Sequence, residues 1–320
     1  MGLLGGKLQF IEGAPWVDVL LATYNGEKFL PELLDSLIAQ TNVNISLIVS
    51  DDGSTDKTIQ IIEQYATQFL EFKLVTGPKN GPSKNFFSLL KLSTKEYAAL
   101  ADHDDIWDPD HLSNSINRIK ANSTIPAISY TSVRELNNKT GAITRIWPEK
   151  NYIKDLNSII VKNVARGCTI VLNREAVELI NTKTPNSEVM HDWWILLVIA
   201  THGVVEFGPN PEITYRLHES NHVGIPRRSR ALISYAKTLR HIQTGKWEPF
   251  GQALELSRLY GTSIQNKDRQ DLALFLKLQK PTPSNLKYIC SKRTFRNAIR
   301  EELSLRVIFI LAPLMTRNWK

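Results

Sequence analysis

Three short polar clusters hold most of the chemistry that this chain could perform. Thr23-Tyr24-Asn25-Gly26, Asp51-Asp52-Gly53-Ser54 and Asp102-His103-Asp104-Asp105 each follow a short apolar run. Asp, Asn, Gly and Ser are also ordinary turn and cap residues, so one such cluster signals only a turn. Three at successive strand ends are hard to explain by turns alone. The third is chemically the most specific, because Asp102, Asp104 and Asp105 crowd three carboxylates into four positions. Like charges that close raise one another's pKa and destabilise a fold unless a cation sits among them. Oxygen-rich sites suit Mg²⁺ or Mn²⁺, which favour carboxylate and phosphate oxygens. The cluster therefore predicts a divalent-metal site able to hold a diphosphate.

Two further clusters follow downstream. His191-Asp192-Trp193-Trp194 opens a run, Ile195–Ala200, that is almost wholly apolar. The tryptophans and the carboxylate suit core packing plus a helix cap, or a sugar platform beside a general base; the sequence leaves both open. Tyr215-Arg216-Leu217-His218-Glu219-Ser220-Asn221-His222 packs Arg, Asn and two His into eight residues. Such polar density is unusual for a core.

The elements that must position these groups alternate in type. Strands are expected at Val17–Ala22, Ile45–Ser50, Phe72–Thr76 and Tyr97–Ala101, with helices over Glu27–Gln40, Lys57–Thr67 and Ser83–Leu92 between them. In the first helix Phe29, Leu30, Leu33, Leu34, Leu37 and Ile38 recur at helical period. Later strands are expected near Pro126–Thr131, Gly167–Asn173 and Gly203–Phe207. This rhythm predicts an α/β sandwich with a mixed, mostly parallel sheet. In such sheets ligands bind outside the carboxyl ends of the strands, where the polar clusters fall.

Composition bounds the function. With 320 residues, 42% hydrophobic and 22% charged, the chain can bury one large core or a catalytic domain plus an appendage. Cys168 and Cys290 lie far apart in apolar surroundings and are expected to be reduced residues of a cytoplasmic protein. No signal-peptide pattern and no apolar run long enough to span a bilayer is found. Absence of GxxxxGK[ST] excludes a P-loop hydrolase, and absence of GxGxxG argues against a dinucleotide dehydrogenase.

Charge divides the chain. Residues 227–320 hold 19 Lys/Arg against 6 Asp/Glu, whereas residues 1–226 hold 20 against 26. The expected organisation is an arm over 1–15, a catalytic domain over 16–226 and a basic helical region over 227–320. Within the last, Ser291–Met315 reads as an amphipathic helix with a basic rim. It suits docking on an anionic membrane surface, or packing on the catalytic domain or on a second copy in a homo-oligomer. No nucleic-acid partner is expected: the usual signatures are missing, and acidic strand ends repel phosphate unless a metal intervenes.

The ordered set VDVLLATYNGEKFLPELLDSLIAQ, LIVSDDGSTDKT, NGPSKNF, ALADHDDIWDPDHL, ARGCTIVLN, HDWW and YRLHESNHVG resembles inverting glycosyltransferases of family 2 with the GT-A fold. ADHDDIW, HDWW and YRLH look most like the bacterial rhamnosyltransferase-type branch, which builds O-antigen and other surface polysaccharides. The resemblance covers about residues 17–224 and implies a role for each matching position. Thr23, Tyr24 and Asn25 line the nucleotide pocket, and Asp52 holds the uracil or thymine edge. Asn80, Lys84 and Asn85 reach the nucleotide sugar. Asp102 binds the ribose or the metal, Asp104 coordinates Mn²⁺ or Mg²⁺, and His218 completes the metal shell. Arg216 meets the diphosphate. Asp192 is the general base, with His191, Trp193 and Trp194 near the acceptor. The implied substrates are a dTDP- or UDP-sugar donor and a saccharide or lipid-linked saccharide acceptor, used at the cytoplasmic face of the inner membrane. His103 departs from the Gln or Ala more usual in its slot, and His191 from the commoner Glu. A non-catalytic protein of the same fold, binding a nucleotide sugar or glycan, is the competing reading.

Overall fold

A computed structural model of the chain describes residues 7–153, 155–185, 189–218, 241, 248–278, 303, 306 and 307. The strands are β1 (Trp16–Thr23), β2 (Asn44–Asp51), β3 (Glu71–Thr76), β4 (Tyr97–Asp102), β5 (Ile106–Trp107), β6 (Ala127–Asn137), β7 (Ala142–Trp147), β8 (Val171–Asn173) and β9 (Val204–Leu217). The helices are α1 (Leu30–Ile38), α2 (Thr58–Tyr65), α3 (Pro82–Leu90), α4 (His111–Ile119), α5 (Leu156–Ile160) and α6 (Arg174–Thr182). They continue with α7 (His191–His202), α8 (Glu248–Tyr260) and α9 (Asn266–Lys277). Two compact units divide them: Met1–Asn151, Ala165–Thr184 and Gly203–Asn221 form the first, and Tyr152–Val164, Pro185–His202 and His222–Lys320 the second.

The first unit is built on one sheet, ordered β3-β2-β1-β4-β8-β6-β9-β5, with β7 paired to β6. Strands β1 to β4 run parallel in the order 3-2-1-4. Every residue of β2, and all but the first of β1, is buried. That is why both read as near-continuous apolar runs instead of alternating ones. Leu30, Leu33, Leu34 and Leu37 of α1 are wholly buried and join Val17, Val19, Leu21, Ile45 and Val49 in the core.

Beyond β4 the sheet is mixed, with β6 and β9 parallel and β8 antiparallel to both β4 and β6. The short β5 pairs antiparallel with β9, Ile106 opposite Thr214 and Trp107 opposite Ile213. This register carries the residues after β4 alongside the residues that end β9, although more than a hundred positions separate them in sequence.

The second unit forms around α7. Its sequence, HDWWILLVIATH, is apolar on every side, and Ile195 to Ile199 are all wholly buried. Such a helix needs cover all round. It packs against α5 and α8, and α9 packs against both of those. The buried Asn157 amide donates to Asp271 Oδ2 at 2.7 Å, tying α5 to α9. The division therefore differs from the expected boundary at 226/227: residues 152–164 and 185–202 belong with the C-terminal unit. The amphipathic helix expected over Ser291–Met315 lies outside the described residues, apart from 303, 306 and 307. Cys290 lies outside them as well. Among the described residues, no helix is long and apolar enough to cross a membrane.

Candidate active site

The loops after β1 and β2 are knitted together by side chains acting on backbone. Asp51 accepts from the amides of Gly53 at 3.0 Å and Ser54 at 2.7 Å, and from the Thr23 hydroxyl at 2.8 Å. Asn25, at φ 48°, donates its amide to Ser54 Oγ at 2.8 Å and accepts from the Thr55 amide at 2.8 Å. Asp52 turns to the next loop, where its carboxylate accepts from the Lys79 amide at 2.7 Å and the Gly81 amide at 3.0 Å. Gly77 permits this approach, since a Cβ there would stand 2.6 Å from Asp52 Oδ1. The three strand ends are thereby held in one relation to one another.

Some expected donor-pocket residues turn out to be braces. Thr23 is 2% exposed and its hydroxyl is engaged by Asp51. Asn85 is 1% exposed and donates to the Ser50 carbonyl at 3.0 Å. Both brace the loops from beneath, Thr23 through Asp51 and Asn85 through the Ser50 carbonyl. Tyr24, Asn25, Asn80 and Lys84 are exposed and accessible.

At the end of β4 the acidic cluster splits by direction. Asp104 meets His218, its Oδ2 lying 2.7 Å from His218 Nε2, with both side chains largely buried. The β5–β9 pairing brings them together. Burial pushes the Asp104 carboxyl up, but the hydrogen bond from His218 and the charges of His103 and His218 outweigh it and hold it below the usual carboxylate range. His103 lies so close to Gly26 that a Cβ there would come within 2.6 Å of the ring. Asp105 points the other way. It is 1% exposed, and burial followed by the Asp104 and Asp102 charges pushes its pKa well above the ordinary value. The Cys168 thiol beside it is buried and free, and is itself pushed well up by burial and those carboxylates.

Two donor sets could in principle hold a divalent ion. Asp102, Asp105 and Cys168 bring ligating atoms within 4.8 Å of one another. Burial and the neighbouring carboxylates push Asp105 and Cys168 upward, so an ion bound there would have to displace their protons. Asp104 with His218, and Asp102 half-buried beside them in sequence, offers ionised oxygen and imidazole nitrogen, a set that fits Mn²⁺ better than Mg²⁺.

Arg216 is 6% exposed and pairs with Glu32 of α1 while its guanidinium stands 5.0 Å over the Phe29 ring. Sequence reasoning placed it at a diphosphate but did not see Glu32. It also missed Arg166, which lies 3.8 Å over the Tyr215 ring and pairs with Glu135, itself bound by Arg145 at 2.6 Å. Arginine stacked on an aromatic and paired across strands had no local signature in the sequence. Its only hint was position, two residues before Cys168.

Asp192 belongs to the second unit. It is 9% exposed at the start of α7, and its Oδ1 accepts from the Trp193 amide at 2.7 Å. Glu248 lies close enough that burial, and then the Asp192 charge, raises its pKa. His191 is partly exposed, yet desolvation pushes its imidazole down to about 3. The platform reading of the tryptophans gives way to the packing one. Trp193 is 3% exposed with Nε1 donating to the Ile159 carbonyl at 2.7 Å, and Trp194 is wholly buried near Tyr260. Neither indole face is open to a sugar, because this apolar helix needs both to fill its surroundings.

A parallel 3-2-1-4 half-sheet with polar strand ends, continued by a mixed half that returns a histidine to the acidic cluster, is the GT-A glycosyltransferase fold. The chain belongs to glycosyl transferase family 2, whose model matches residues 18–180. A "dTDP-rhamnosyl transferase RfbG" of Shigella flexneri is 30% identical over 64% of this chain and 73% of its own length. An uncharacterized glycosyltransferase of Rickettsia typhi is 26% identical over 65% of each chain. Among solved structures, S. aureus TarS in complex with UDP-GlcNAc is similar at a TM-score of 0.56, 18% identity, 92% of this chain and 81% of that one. A Pyrobaculum calidifontis mannosyltransferase in complex with GDP-Man and Mn²⁺ is similar at 0.54, 16% identity, 96% of this chain and 88% of that one.

Proposed function

We propose that the chain is a metal-dependent, inverting glycosyltransferase. It moves rhamnose or a similar hexose from a dTDP- or UDP-linked donor to a saccharide or lipid-linked saccharide, in the building of bacterial cell-surface polysaccharide. The observation that carries the proposal is the Asp104–His218 pair, 2.7 Å apart at the end of the parallel half-sheet. The named activity of the Shigella relative supports the choice of donor.

In this reading Tyr24, Asn25, Asn80 and Lys84 contact the donor, and Asp52 receives the base edge while fixing the loop at Lys79–Gly81. Asp102 meets the ribose or the metal, Asp104 and His218 hold the metal, and Arg216 faces the diphosphate. When bound, a divalent cation offsets charge growing on the leaving diphosphate. Asp192 takes the proton of the acceptor hydroxyl as that oxygen attacks C1 from the face opposite the diphosphate. The C1–oxygen bond to the diphosphate breaks in the same displacement, so the anomeric centre inverts without a covalent enzyme intermediate. His191 lies beside the acceptor. The basic region over 227–320 docks the cytoplasmic enzyme on an anionic inner-membrane surface.

The test is a panel of dTDP-, UDP- and GDP-sugars offered with Mn²⁺, with Mg²⁺ and with chelator, reading donor binding and hydrolysis. Selection of one dTDP- or UDP-sugar, lost with chelator, is the expected result. Failure of every nucleotide sugar to bind under every metal condition would sink the proposal.

A further inference from the structure

Phe29 sits immediately before α1, in the run Asn-Gly-Glu-Lys-Phe-Leu, and by sequence it is one more member of the apolar stripe. Its surroundings are not those of a core residue alone. The His218 ring lies 5.1 Å from its centroid, tilted by 31°. The Arg216 guanidinium stands 5.0 Å over it and the Lys28 ammonium 4.9 Å. Arg216 is further tied to Glu32, three residues on from Phe29, and His218 to Asp104 at 2.7 Å. One ring, 9% exposed, thus carries the two side chains at the end of β9 that face the acidic cluster and α1.

An aromatic face attracts cations through its quadrupole and gives a planar imidazole a surface to lie on. A metal-ligating histidine is ordinarily oriented by the hydrogen bond of its second ring nitrogen, and here the Phe29 ring also packs against the imidazole. We propose that Phe29 is a positioning residue: its ring seats His218 against Asp104 and holds Arg216 beside it before the donor arrives. The inference rests on the proposed reading of Asp104 and His218 as a metal-holding pair. It extends that reading to the residue that caps α1, outside the proposed metal and donor contacts.

The experiment measures affinity for Mn²⁺ alone, by the EPR signal of free ion, in the full chain. Wild type is compared with Phe29→Leu, Phe29→Tyr, His218→Ala and the Phe29→Leu/His218→Ala double variant. Leu keeps the apolar bulk and removes the aromatic face. Phe29→Leu is expected to weaken Mn²⁺ binding by about 10–100-fold, the range for groups that orient a ligand. Phe29→Tyr should stay within about twofold of wild type, since it keeps the ring. In the His218→Ala background, Phe29→Leu should cost nothing further, because residues acting through one contact are not additive. Wild-type affinity in Phe29→Leu, or equal losses with and without His218, overturns the role of Phe29 alone. A wild type that binds Mn²⁺ no better than Asp104→Ala overturns the metal reading and this inference with it. Should Phe29→Leu not fold, Phe29→Met takes its place in the same cycle.

Discussion

Asp104 and Asp105 are neighbours in the chain and opposites in environment. Asp104 turns toward the end of β9, finds His218 at 2.7 Å and is held ionised. Asp105 turns toward Cys168 and the core, where burial and then the Asp104 and Asp102 charges push its pKa well above the ordinary value. The same side chain, one position apart in one turn, is held below the usual carboxylate range in one setting and pushed well above it in the other. What separates them is the turn between β4 and β5, in which Asp104 meets His218 at the end of β9 while Asp105 enters the interior. The crowding of three carboxylates expected from the sequence is thus eased by sending Asp104 to His218 and Asp105 into the interior.

The largest effect should come from the carboxylate that the comparison leaves out. Asp192→Asn is expected to lower the transfer rate by about 10²–10⁴-fold with donor binding unchanged, measured as kcat against donor Kd. Near-normal turnover would remove Asp192 from the role of base. Next in size, Asp104→Asn should weaken Mn²⁺-dependent donor binding by about 100-fold, because it keeps the volume and removes the charge. Asp105→Asn sharpens the contrast, since an amide of the same shape takes the place of a carboxyl that faces the interior and not His218. It should change donor affinity by less than about threefold and stability by no more than about 1–3 kcal/mol, read by denaturant titration. A loss of donor binding as large as that of Asp104→Asn would erase the distinction between the two faces.

The smallest effect concerns pH. Desolvation holds the His191 pKa at about 3 in the folded chain, whereas in the unfolded chain the imidazole takes up a proton near the ordinary histidine value of 6.5. The unfolded state therefore binds more protons between those values, and stability is lost as pH falls through that window. His191→Gln should flatten the fall in Tm between pH 7 and pH 5. An unchanged slope would mean that the imidazole is charged in the folded state.

Much of this was legible in the sequence, and unevenly so. Strands β1, β2 and β4 were readable because both faces are buried, leaving apolar runs that end at Thr23, Asp51 and Asp102, whereas β3 has no fully buried residue and was read from its short Phe72–Thr76 run. Helix α1 was readable from its stripe, although it begins at Leu30 and not Glu27, because Gly26–Phe29 form a turn in which the Phe29 amide donates to the Gly26 carbonyl at 3.1 Å. The β6–β7 hairpin was not foreseen: β7 is exposed along most of its length, so it lacks the apolar signature of a buried strand. Motifs named candidate residues but not their direction. Nothing local distinguishes Asp104 from Asp105, the brace Asn85 from the exposed Asn80, or the core face of Trp194 from a sugar platform. Those differences arise from pairings such as β5 with β9, which join positions more than a hundred residues apart.

The most direct test of the account is Mn²⁺ and dTDP or UDP binding, by calorimetry, to wild type, Asp104→Asn and Asp105→Asn side by side at neutral pH. The account predicts that Mn²⁺ strengthens nucleotide binding to wild type and to Asp105→Asn alike, and that Asp104→Asn alone loses that strengthening. Equal loss in both variants, or nucleotide binding indifferent to Mn²⁺ in all three proteins, would contradict it.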